Sequence, residues 1–239
     1  MAFTVKETAW ADEAQRAEPD TAAEEQPQDE GKPAKMAGDV RRSMVFLLVS
    51  IALWFMAYNA ITSAWSKYAT NRLDMTTSAA ANILLFAQIA AIVSFIPAGA
   101  FSFRIGRKKS ILLGVGILAA VFGSAFFYTS FHPLMYVSFS LAGMAWALIN
   151  VNSLPMVVQM TDSRGNGKYT GYYYTFSMAA QVITPILSGF LLEHAGYWTL
   201  FPYAGLFGVF AFCTMLFVRH GDAAGSVPKD KLTMYDVAD

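Results

Sequence analysis

The sequence predicts an all-α membrane protein of six transmembrane helices, and three observations carry that reading. Of 239 residues, 55% are hydrophobic and only 14% are charged, where an ordinary soluble domain has about a quarter charged. The charges are also segregated: 23 of 34 lie in Met1–Arg42 and Arg219–Asp239, which leaves 11 for the 176 residues between them. A soluble core of that size needs a charged shell, and none is available. Finally, stretches such as Ile111–Phe127 do not alternate apolar and polar residues as a membrane β-strand does. A backbone that must satisfy itself in lipid is then helical.

A crossing takes roughly 20 apolar residues. Charge-free runs of that length predict spans over Ser43–Ala64 and Ser78–Phe101. Ser110–Met160 carries no acid or base, but its 51 residues are too many for one crossing. His132-Pro133 divides it into Ser110–Thr129 and Leu134–Met160, because proline disfavours helix at the residue before it. The last two spans are Thr170–Leu192 and Trp198–Val218, separated by Glu193-His194-Ala195-Gly196.

Basic residues near span ends tend to remain cytoplasmic. One side collects Arg41, Arg42, Arg104, Arg107, Lys108, Lys109, Arg164, Lys168 and Arg219, and the other has only Lys67 and Arg72. Nine against two places both termini in the cytoplasm of a multi-pass protein of the cell (plasma) membrane. Trp65, Tyr68, Tyr128, Tyr136, Tyr197 and Trp198 suit an aromatic belt at the external boundary. Residues 1–40 read as a disordered cytoplasmic linker, since nine acids, four bases and three prolines fall in the first 35 positions. No signal-peptide pattern precedes Arg41. The domain proper is 41–219. The polar tail, 220–239, is cytoplasmic and is assigned no role, and Asp162 and Arg164 are placed to pair in the second basic loop.

An amide in hydrocarbon costs free energy unless it meets a partner or water. The first span has Asn59; the second, Asn82 and Gln88; the fourth, Asn150, Asn152 and Gln159; the fifth, Gln181; the third and sixth have none. Either the first, second, fourth and fifth helices line a wet passage with the third and sixth outside facing lipid, or the amides bond between helices of a tight bundle. Helical spacing puts Tyr174, Ser177, Gln181, Pro185 and Ser188 on one stripe and Trp146 and Asn150 four apart. It also puts Asn59, Ser63 and Ser66 on one face, with Trp54 and Tyr58 adjacent. Aromatic faces with amides and hydroxyls, and no fixed charge, suit a neutral polyhydroxylated solute such as a sugar. The candidate substrate-binding residues are Asn59, Gln88, Trp146, Asn150, Tyr174 and Gln181.

Net charge is zero, so no basic field argues for nucleic acid. The lone Cys213 excludes a disulfide framework or multi-cysteine metal site. No cluster of His, Cys or carboxylates lies near a span's midplane, which argues against an enzyme and against a metal or cofactor. No Asp, Glu, Lys or Arg lies within any predicted span, so a proton-coupling group has to lie on another polypeptide or in a missing half.

Between the second and third spans runs G-A-F-S-F-R-I-G-R-K-K, Gly99 to Lys109. It resembles the loop signature of the major facilitator superfamily, G-x-x-x-D-R/K-x-G-R-R/K, at Gly99, Arg104, Gly106, Arg107 and Lys108, and departs from it at Phe103. The run Asn152–Met178 resembles the tenth-to-eleventh helix region of sugar–cation symporters of the sucrose-carrier and glycoside–pentoside–hexuronide type. The resemblance covers about Arg41 to Arg219 and implies half of a major facilitator fold, a 3+3 inverted repeat. The aspartate belongs to the signature's N-terminal copy, so its absence implies the C-terminal half. Phe3–Thr8 then corresponds to the end of a sixth helix, and an N-terminal six-helix half is the missing partner. The implied function is secondary active transport of a sugar (glycoside or disaccharide) with a proton or another cation by alternating access. The alternative is a truncated, non-transporting fragment or assembly protein. Gly99, Arg104, Gly106, Arg107 and Lys108 are implied to form a cytoplasmic gate loop: the bases bond helix-end carbonyls or the facing half, or act only as topogenic charge at the headgroups.

Overall fold

The computed structural model describes residues 36–161 and 165–222. The linker over the first 35 residues, the Asp162–Arg164 pair and the tail from residue 223 lie outside the described residues. Among those described are six helices long and apolar enough to cross a bilayer. They are α1 (Gly38–Arg72), α2 (Thr77–Ile105), α3 (Arg107–Ala125), α4 (Leu134–Gln159), α5 (Asn166–His194) and α6 (Leu200–Leu216), the last preceded by a 3-10 turn at Tyr197–Thr199. Each predicted crossing has its helix, and α1 begins at Gly38, inside the stretch assigned to the linker.

At 1.5 Å per residue, the 35 residues of α1 extend about 50 Å, well beyond a hydrocarbon core of about 30 Å. Charged residues such as Arg41 and Lys67 therefore ride on helix without entering lipid. The connections are short. Thr76 caps α2 by accepting from the Ala79 amide at 3.3 Å, and Gly106 alone joins α2 to α3 at φ 96°, a backbone conformation that favours glycine.

The packing is that of an inverted repeat. The extensive contacts are α2 with α4, α1 with α6, α3 with α4, α3 with α6 and α1 with α5. Exchanging each helix for the one three places along maps α2–α4 onto α5–α1 and α1–α6 onto α4–α3, and leaves α3–α6 in place. The contact pattern thus reproduces itself, as two three-helix units of opposite topology require. Small residues set the closest approaches, as they do where lipid supplies no hydrophobic drive between helices. A Cβ on Gly143 of α4 would run into the Ala87 carbonyl of α2, and one on Gly208 of α6 would lie 3.1 Å from Ala119 of α3.

Within this chain, α1 is the most enclosed helix and α2 and α5 are the least covered. The reason is topological: α3 and α6 pack on each other and on α4 and α1, while α2 and α5 flank the bundle. Ile92, Val93 and Ile96 on α2 and Val182 and Ile186 on α5 are among the exposed apolar side chains.

Both ends of the domain meet at one face. Phe46 stacks on Phe217 with ring centroids 5.3 Å apart. Ser43 Oγ lies 2.8 Å from His220 Nδ1 and accepts the Arg219 amide at 3.2 Å, and His220 Nε2 lies 3.4 Å from Asp39. The tail's first residues thus clasp the start of α1. Among the described residues, eight Lys and Arg side chains sit at this termini end, and Lys67 and Arg72 at the far end.

Candidate functional site

The aromatic and amide side chains converge where α1, α2 and α4 meet. Tyr58 of α1 stacks on Trp146 of α4, with centroids 3.9 Å apart and planes 4° apart, and Phe55 meets the same indole edge-on at 5.0 Å. Gln88 of α2 donates from Nε2 to the Tyr58 hydroxyl at 3.3 Å. Two of the predicted residues, Gln88 and Trp146, are therefore joined through Tyr58, which the sequence placed on the aromatic face beside Asn59 but which was not among the candidate binding residues.

Asn59 and Asn150 flank this cluster and are oriented by their own helices. Asn59 Nδ2 donates to the Phe55 carbonyl at 2.8 Å, and Asn150 Nδ2 to the Trp146 carbonyl at 2.9 Å. A carbonyl accepts only from the amide nitrogen, which fixes each flip and leaves each amide its oxygen and second N–H for an incoming group. Both side chains are half-buried. Gln181 of α5 is held more loosely, 3.4 Å from the Ser177 carbonyl.

The α5 stripe divides. Tyr173, Ser177, Ala180, Thr184, Ser188 and Leu192 form its buried face, with the Tyr173 hydroxyl 3.1 Å from Ser153 Oγ on α4. Tyr174, Gln181 and Pro185 lie on the exposed side. No hydrogen bond or ring contact joins Tyr174 or Gln181 to the Tyr58 cluster, so the site divides into a packed aromatic part and an open wall on α5. Asn152 follows the other alternative, interhelical bonding: it is buried and bonds Ser102 Oγ of α2 and the Leu148 carbonyl, both at 2.7 Å.

At the termini end the basic loop ties helix ends together. Arg107 Nη1 donates to the Pro155 carbonyl of α4 at 3.2 Å, and Lys108 Nζ to the Leu216 carbonyl of α6 at 3.2 Å. Cations there meet the negative ends of two helix dipoles. The Asp222 carboxylate accepts the Lys108 amide at 3.0 Å in the first turn of α3, where an anion is favoured. A Cβ on Gly106 would lie 2.9 Å from that carboxylate, so bare backbone is required there on two counts. Gly99 faces Val151 of α4, and Arg104 is exposed. Asp222 was not anticipated; the only signal was an acid soon after the last span in a chain poor in acids.

A model of the Major Facilitator Superfamily matches residues 9–161 and again 47–233, the second match running from α1 through α6. The chain belongs to that superfamily. It is accordingly a multi-pass membrane protein of a transporter family, not an enzyme family. No curated protein matches the chain. Among solved structures it is similar in fold to the human organic anion transporter MFSD10 (TETRAN), at 16% identity and a TM-score of 0.57. The match covers 76% of this chain and 48% of that transporter, so the chain spans about half of its length.

Proposed function

We propose that this chain is the C-terminal half of a sugar symporter, coupled to a proton or another cation, that works by alternating access with an N-terminal six-helix half as its partner. The observation that carries the reading is the uncharged cluster of Tyr58, Trp146 and Gln88, flanked by self-anchored Asn59 and Asn150. A sugar ring offers an apolar C–H face to an aromatic plane and hydroxyls that both donate and accept, which is what an amide oxygen and its free N–H complement. Gln181 and Tyr174 add polar groups from α5, and Gly99, Arg104, Gly106, Arg107 and Lys108 form the cytoplasmic gate loop. The exposed apolar faces of α2 and α5 are the surfaces offered to the missing half. The concentration of Lys and Arg at the termini end supports cytoplasmic termini in a plasma membrane.

Uptake of labelled sucrose and melibiose into proteoliposomes, by this chain with and without a supplied N-terminal half, tests the reading. Accumulation that needs both halves and an imposed cation gradient is the expected result. Uptake by this chain alone, or no uptake by the pair across a panel of sugars, overturns it.

A further inference from the structure

A pocket lies at the far end, between α1 and α5. It encloses about 180 Å³ and is lined by Ser63 and Lys67 of α1, by Pro185, Ser188 and Glu193 of α5, and by Tyr197 of the 3-10 turn, among others. The inverted repeat makes its significance legible, because the crossing of α1 with α5 is the counterpart of that of α4 with α2. Both α2 and α5 have 29 residues, and each carries a proline about two-thirds along, Pro97 and Pro185. Beyond Pro97, α2 seals against α4, through Gly99 on Val151 and Asn152 on Ser102. Beyond Pro185 the corresponding crossing holds a cavity, and the two opposite charges that line it make no ion pair with each other.

The α1 wall leads from the candidate site towards the pocket: Asn59, Ser63 and Lys67 are spaced by four and so run along one face of α1. Its charges cancel, which favours a neutral solute. A carboxylate that accepts and an ammonium that donates grip hydroxyls by charge-assisted hydrogen bonds. Its volume falls below the roughly 300–1,000 Å³ of a site that engulfs a whole ligand, so it holds part of a solute at a time.

We propose that this pocket is a loading subsite, in which Glu193 and Lys67 take hold of the hydroxyls of an entering neutral, polyhydroxylated solute before it reaches Asn59 and Gln181. The proposal rests on the sugar reading above. The test uses the full chain, with its N-terminal half supplied, in a Cys213→Ser background carrying Gly189→Cys. Gly189 borders the pocket, and a Cβ there has nothing within 4 Å. Alkylation of that cysteine by a water-soluble maleimide is timed with and without sucrose, and labelled-sucrose binding is measured on the same preparation. Sucrose is expected to slow alkylation, and Lys67→Met or Glu193→Gln to raise the protecting concentration about tenfold, as loss of one charge-assisted bond does. Binding without protection, or protection unchanged in both variants, overturns the subsite and leaves the sugar reading standing. Absence of sucrose binding together with absence of protection, repeated across a panel of sugars, overturns both.

Discussion

Tyr58 and Trp146 lie face to face with their ring planes 4° apart, one on the first helix of each three-helix repeat. The exchange that relates the repeats turns this helix pair onto itself. The Tyr58 hydroxyl is also the acceptor for Gln88, so one side chain couples the aromatic platform to α2. Tyr58→Phe keeps the stack and deletes that bond, at a cost of about 0.5–1.5 kcal/mol. The expected outcome is a loss of at most about tenfold in solute affinity, measured by labelled-solute binding, with a larger loss for Trp146→Ala, which removes the platform itself.

Gln181 stands on the open side of α5, clear of the packed cluster. Gln181→Ala is expected to weaken solute binding while leaving membrane insertion and thermal stability unchanged. Unchanged binding would remove the α5 wall from the site.

The termini-end loop depends on backbone that only glycine supplies. Gly106→Ala forces a side chain into a φ of 96° and against Asp222, with an expected cost of about 1–3 kcal/mol. Asp222→Asn keeps the shape and removes the anion from the start of α3, for about 0.3–1 kcal/mol. Denaturation in detergent should rank the two in that order. The opposite ranking would show that charge, not conformation, governs this loop.

Gly143 and Ala87 set the distance between α4 and α2. Gly143→Ala should cost about 1–3 kcal/mol or more, since the new methyl meets backbone that has no rotamer to yield. Gly189→Ala, where a Cβ meets nothing within 4 Å, is the control and should leave the midpoint within error.

Among the described residues, no acid or base lies in the middle of any of the six helices, and the charged groups on them ride on helix ends. No single substitution in this chain is therefore expected to uncouple cation flow while sparing solute binding, as read by solute-driven pH change in proteoliposomes. One that did so would relocate the coupling group to this half.

Composition and punctuation determined a good deal by themselves. A chain with so few charges in its middle, and no apolar–polar alternation there, satisfies its backbone in lipid as helices, and His132-Pro133 and the Glu193–Gly196 break fixed where helices end, because those are local constraints. Tertiary structure alone decided which faces meet. Spacing placed Tyr174 and Gln181 on a stripe with Ser177 and Ser188, yet only the serines turned inward, because helix rotation is set by the neighbour and α1 covers just one side of α5. The amide count could not show how the amide-free α3 and α6 meet, which small-residue packing such as Gly208 on Ala119 decides. Which of the two alternatives Asn152 follows was also decided there: it is buried and bonds between helices, because Ser102, 50 residues away in sequence, supplies the partner that a local pattern cannot reveal.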